Sequence, residues 1–117
     1  MELEEIKRVV VETLENSKAR DIQVMDVTSI STFADMMIVA TGTSTAHVRS
    51  TGNAVAQKFK DLDMPPLGVE ASPQPDWVLV DLGDVIVHVL TEAARAHYSL
   101  EKLWDVKQLE AVTDTKA

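Results

Sequence analysis

Pro75-Asp76-Trp77-Val78-Leu79-Val80-Asp81-Leu82-Gly83-Asp84-Val85-Ile86-Val87-His88-Val89-Leu90 is the stretch whose reading decides the fold. Two runs dense in Val and Ile, 77–81 and 84–90, suit a pleated surface, and Gly83 supplies the positive φ that a tight connection needs. The stretch therefore predicts a β-hairpin joined at Leu82-Gly83. Period-two alternation puts Trp77, Leu79 and Asp81 on one face of the first strand and Val78 and Val80 on the other, with His88 beside Ile86 and Leu90 in the second.

Working outward, Leu3, Ile6, Val10 and Leu14 recur at helical spacing, with Glu2, Glu4 and Glu5 at the end where the helix dipole favours negative charge. An amphipathic first helix over 3–19 follows. A first strand is expected over 22–27, broken by Thr28, Ser29, Ser31 and Thr32. Residues 35–41, Asp-Met-Met-Ile-Val-Ala-Thr, run continuously apolar, as a strand covered on both faces does, and so are expected at the centre of the sheet. Gly42-Thr43-Ser44 then starts a helix to about Asp61, with a stripe of Val48, Val55, Phe59 and Leu62. Gly52 within it costs roughly 1 kcal/mol relative to Ala unless it allows a close approach, and packing is the expected reason. Pro65 and Pro66 stop that helix, 67–70 forms a short strand, and Ser72-Pro73-Gln74-Pro75 leads stiffly into the hairpin.

After Leu90 a helical stretch begins at Thr91 and Glu92 and runs to Tyr98. A final turn places Leu100, Leu103 and Trp104 on one face. One domain over 1–105 is expected, and 106–117, without a sustained stripe, is expected to be a mobile tail. This order gives a small α/β sandwich: a mixed, about five-stranded sheet flanked by helices.

The 117 residues suffice for one cored domain, and their 45% hydrophobic and 26% charged content is that of a soluble protein. No apolar run reaches the roughly 20 residues of a membrane span, and the acidic start resembles neither a signal nor a transit peptide. A cytoplasmic protein is expected. The absence of cysteine excludes disulfides, thiolate metal sites and a cysteine nucleophile. A net charge of −8 opposes direct nucleic-acid binding and suits a basic protein partner.

Each candidate for chemistry has a plainer alternative. Asp81 and Asp84 flank the turn, where carboxylates more often accept local amide hydrogen bonds than hold a cation. The histidines 47, 88 and 97 lack metal-ligand spacing. Thr41-Gly42-Thr43-Ser44 before a helix is a fragment of an anion site, without the second glycine and lysine of a phosphate loop. No catalytic, metal or cofactor residues are therefore assigned. Trp77, with a large ring and a donor, divides between core packing and an interface anchor.

Taken together, Ile38-Val39-Ala40-Thr41-Gly42-Thr43-Ser44, Gly68-Val69-Glu70, the string from Asp76 to His88 and Tyr98-Ser99-Leu100-Glu101-Lys102-Leu103-Trp104 resemble the ribosomal silencing factor family, also called RsfS or Iojap. The hairpin string with its following Tyr-x-Leu-Glu-x-Leu-Trp is the specific part. The resemblance implies a bacterial, non-catalytic factor with a nucleotidyltransferase-like fold lacking the catalytic residues. It would bind the large ribosomal subunit through ribosomal protein uL-fourteen, block small-subunit joining, repress translation under nutrient limitation and form a homodimer when free. By the same resemblance Trp77 and Val78 match the ribosomal-protein contact, with Asp81, Leu82, Asp84 and Tyr98 as companions. Thr45-Ala46 departs from the Ser-Arg common in the family, so a basic contact from the helix start is not carried over. The rival is a minimal nucleotidyltransferase, motivated by Gly42-Thr43-Ser44 and nearby acids. Such an enzyme needs converging carboxylates, and the sequence offers no Asp-x-Asp pair on the strand that follows the glycine.

Overall fold

In the computed structural model, which describes residues 1–29, 34–71 and 73–98, the chain runs α1 (Leu3–Asn16), β1 (Arg20–Asp26), β2 (Met36–Gly42), α2 (Thr45–Asp61), β3 (Gly68–Ala71), β4 (Trp77–Asp81), β5 (Val85–Thr91) and α3 (Glu92–Tyr98). The expected final turn beyond Tyr98 and the tail lie outside the described residues. The strands form one sheet in the order β1-β2-β5-β4-β3, with β2 and β5 parallel and the other pairs antiparallel. This is the mixed five-stranded α/β sheet that the pattern predicted. Its middle strand, however, is β5 and not β2. Both runs are buried on two faces, so apolar continuity marks either as interior without saying which lies between which neighbours.

The hairpin forms with Trp77 opposite Leu90, Leu79 opposite His88 and Asp81 opposite Ile86. Leu82 N–H donates to Val85 O at 2.9 Å, so the turn centres on Gly83-Asp84, one residue later than expected, with Gly83 at φ 93°. Val78, Val80, Val85, Val87 and Val89 point to the face covered by α1 and α2. There they form the main core with Ile6, Val10, Leu14, Val48, Val55 and Phe59. Leu62, expected in that stripe, is 38% exposed because the helix has ended and the chain turns away.

Both long helices end in the same way. Lys18 takes φ 63° while Lys18 N–H donates to Glu15 O and Ala19 N–H to Leu14 O; Asp63 takes φ 60° with the equivalent bonds to Lys60 O and Phe59 O. These are Schellman ends built without glycine. They stop α1 at Asn16, three residues before the expected Ala19.

Gly52 sits directly over β4. A Cβ added there would lie 2.5 Å from Val78 Cγ1, too close for any side chain, so the helix reaches the sheet only because this position has none. The propensity cost of about 1 kcal/mol is offset by the apolar burial that close approach allows. In urea denaturation, Gly52→Ala is therefore expected to destabilise the protein by about 1–2 kcal/mol despite alanine's better helix propensity. In a Val78→Ala background the same change is expected to become neutral or stabilising; an unchanged penalty there would locate the strain elsewhere.

Candidate functional site

The second face of the sheet is where the hairpin's polar and aromatic residues gather. On it α3, of seven residues, is the helix packed among the described residues, and Ala94 joins Val27, Met37, Val39 and Leu90 in a second, smaller core. Trp77 and Met25 pack at its margin. The indole is thus half-buried: it packs at the margin of the smaller core and keeps part of its surface exposed.

A hydrogen bond fixes its direction. Trp77 Nε1 donates to His88 Nδ1 at 2.9 Å across the two strands, with ring centroids 5.7 Å apart and planes at 51°. An indole N–H only donates, so His88 Nδ1 must be the unprotonated nitrogen. His88 is 7% exposed, and burial lowers its pKa from 6.5 to about 4. The imidazole is neutral at physiological pH, as the bond requires.

The other predicted site residues separate. Val78 is 2% exposed and buried beneath α2, so the assignment of its side chain to a partner surface is corrected: it packs the core, because alternation turns it away from Trp77. Asp81, Leu82 and Asp84 lie at the hairpin's turn end, about 13 Å from Trp77 along the strand at 3.3 Å per residue. Asp81 Oδ1 accepts from Gly83 N–H at 2.9 Å, the turn role anticipated for it. Leu82 packs partly against the main core and lines, with Phe59, Met64 and Leu67, a shallow apolar groove of about 210 Å³. Asp84 is exposed, and its carbonyl accepts from Asp35 N–H at 2.8 Å and Met36 N–H at 3.1 Å. Tyr98 ends α3, and its side chain lies outside the described residues.

The helix start after Gly42 uses its own donors. Ser44 Oγ accepts from His47 N–H at 3.1 Å, and His47 Nδ1 accepts from Thr43 N–H at 2.9 Å. The other ring nitrogen lies 2.6 Å from Ser17 O, which can only accept, so Nε2 carries the proton and ties α2 to the end of α1. Two amides that an anion would use are thus already bonded within the chain. Among the described residues, no group of three or more His, Asp or Glu side chains is placed to hold a metal ion, and no helix is long and apolar enough to cross a membrane.

One clamp was not legible in the sequence. Arg95 on α3 donates to Thr41 Oγ1 at 2.9 Å and to Asp21 O at 2.5 Å. Asp21 lies where the β1–β2 register shifts, with φ 49°. The bonds join α3 to two strands more than fifty residues earlier, and no local pattern announces them.

The neutral buried imidazole has a consequence for stability. His88 binds its proton more weakly folded than unfolded, so its contribution is complete above pH 6.5 and is lost progressively as pH falls towards 4. Between pH 7 and 4.5 this term is expected to remove roughly 2 kcal/mol. Urea midpoints of the parent and His88→Phe at the two pH values check it: the variant should lose less stability on acidification by about that amount.

A family model described as ribosomal silencing factor during starvation matches residues 1–117. Ribosomal silencing factor RsfS of Chromobacterium violaceum is 40% identical over 104 residues, covering 89% of this chain and 85% of that protein. A crystal structure from the same organism superimposes with a TM-score of 0.86 at 40% identity, over 89% of this chain and 87% of the other. The mouse protein named mitochondrial assembly of ribosomal large subunit protein 1 is 30% identical over 105 residues, covering 87% of this chain and 46% of its own length. With the whole sequence matched by the family model and the sheet shared with a solved structure at 40% identity, the chain belongs to the ribosomal silencing factor family.

Proposed function

We propose that this protein is a non-catalytic repressor of translation that acts in the cytoplasm. It binds the large ribosomal subunit through ribosomal protein uL-fourteen and so blocks joining of the small subunit, most of all when nutrients are short. Family membership is the observation that carries this reading, and the mouse relative's name points to the large subunit in particular. The chain's net charge of −8 suits a basic ribosomal protein, since complementary charge speeds encounter and fixes register.

The contact surface is the face of the sheet that carries Trp77. Its anchor is the indole, large, partly exposed and held by His88. Asp81, Leu82 and Asp84 supply a second contact at the turn end, and Tyr98 a third from the end of α3. A spacing of about 13 Å between the first two lies well within a standard interface patch of roughly 800 Å² per partner. Val78 supports this surface from beneath.

Co-sedimentation with purified large subunits, followed by addition of small subunits, is the direct test. Trp77→Ala is expected to bind at least about 30-fold more weakly, the equivalent of the 2 kcal/mol typical of a hot spot, and to let subunits join, with its circular dichroism unchanged. Binding and blocking equal to the parent would remove Trp77 from the interface.

Asp84 tests the electrostatic part cleanly, because its backbone carries the structural bonds and its carboxylate is exposed. Asp84→Asn is expected to slow association a few-fold at low salt, with the difference shrinking above about 0.15 M as screening grows. A stopped-flow or surface-based association rate at two ionic strengths reads this directly.

A further inference from the structure

The Trp77–His88 pair joins a half-buried group to a buried one. Trp77 stands at the margin of the smaller core, and its orientation is set by two side-chain torsions. His88 comes from the middle strand of the sheet, hydrogen-bonded to neighbours on both sides, and is itself 7% exposed. Its register fixes the imidazole: it pairs with Leu79, two residues along β4 from Trp77, which places the two rings diagonally on one face. That diagonal lies within reach of large side chains, and here it closes a 2.9 Å hydrogen bond.

From this geometry we infer that His88 is a positioning residue for the docking surface, holding the Trp77 indole in one orientation before a partner arrives. This rests on the proposed docking role of Trp77 and adds to it the group that sets the anchor's direction. An anchor already in its bound rotamer loses less conformational entropy on association. The orientation also decides which part of the ring is offered. With Nε1 bonded to His88, the indole N–H is not offered to a partner, so the recognising surface on the other side should be apolar or cationic in place of a hydrogen-bond acceptor. A basic protein whose Arg or Lys stems lie against the ring has that chemistry.

The chemistry of the acceptor matters more than its size. His88→Phe keeps an aromatic ring and removes the acceptor, whereas His88→Gln restores an oxygen acceptor on a flexible arm. Binding to purified large subunits is measured for both, alone and combined with Trp77→Ala. The indole Nε1–H resonance of Trp77, assigned by its loss in Trp77→Phe, is followed in the free proteins by its exchange with solvent. His88→Phe is expected to bind about five- to tenfold more weakly with its circular dichroism intact, and its Trp77 indole proton is expected to exchange faster. His88→Gln is expected to recover most of both. In the Trp77→Ala background, His88→Phe is expected to weaken binding no further, because His88 acts through the indole.

The failures are distinguishable. Trp77→Ala binding as well as the parent overturns the docking role of Trp77 and the positioning role with it. Trp77→Ala failing while His88→Phe binds like the parent overturns the positioning role alone. Additive losses in the double variant also overturn it, since His88 would then act on binding independently of the indole.

Discussion

The close approach of α2 to β4 at Gly52 and Val78 is the constraint on which the two faces of this protein depend. With no side chain at Gly52, the helix lies against Val78 and drives the valines of β4 and β5 into one dry core with Phe59, Val55 and Val48. Because strand side chains alternate strictly, that single contact determines what the other side must hold. Burying Val78 and Val80 turns Trp77, Leu79 and Asp81 outward; burying Val85, Val87 and Val89 turns Ile86, His88 and Leu90 the same way. The face that carries the proposed contacts is thus fixed by packing on the opposite side of the sheet. A slip of one residue in the hairpin would exchange the two sets, placing Trp77 under the helix and a row of valines on the surface.

What could be read from residues alone follows from how local each signal is. The hairpin was legible because its alternation and its glycine lie within sixteen consecutive residues, and the role of Gly52 because an exposed-propensity cost in a helix calls for a packing reason. The ends of α1 and α2 were less legible. Lys18 and Asp63 occupy left-handed positions where glycine is usual, so the stop of α1 carried no composition signal, while that of α2 was marked only by the prolines beyond it. The place of β5 at the centre depended on which strands pair, a non-local fact that apolar continuity does not contain. Val78 was misassigned although alternation alone already set it opposite Trp77. The Trp77–His88 bond needed the hairpin register, and the Arg95 clamp needed three distant segments brought together.

The site divides accordingly into parts held by short-range and long-range order. At the turn end the bond of Asp81 Oδ1 to Gly83 N–H is defined within three residues and would be similar in any hairpin of this sequence, although Asp84 O is also held by Asp35 and Met36. The Trp77 end exists only in the folded sheet, since His88, Leu90 and Ala94 come from β5 and α3. The two proposed contacts, about 13 Å apart, would constrain a partner more than either would alone. An apolar anchor supplies affinity but leaves rotation about itself, and charges at a distance remove that rotation while adding little to the net energy of exposed pairs.

A buried histidine suits the inner end of such an anchor for a reason that other polar side chains do not share. A carboxylate accepting the indole proton would have to be buried charged, at a cost of several kcal/mol, and an amide would bring two further donors needing partners. Neutral imidazole is already the major form in water at pH 7, so lowering its pKa to about 4 costs only about 0.2 kcal/mol there. It is also a rigid plane, set by two torsions, that directs one lone pair at Trp77 Nε1. The sheet thereby gains a fixed acceptor inside an apolar cluster at almost no electrostatic cost at neutral pH. The penalty is deferred to acid conditions, where protonation of Nδ1 would set two donors against each other and release the indole.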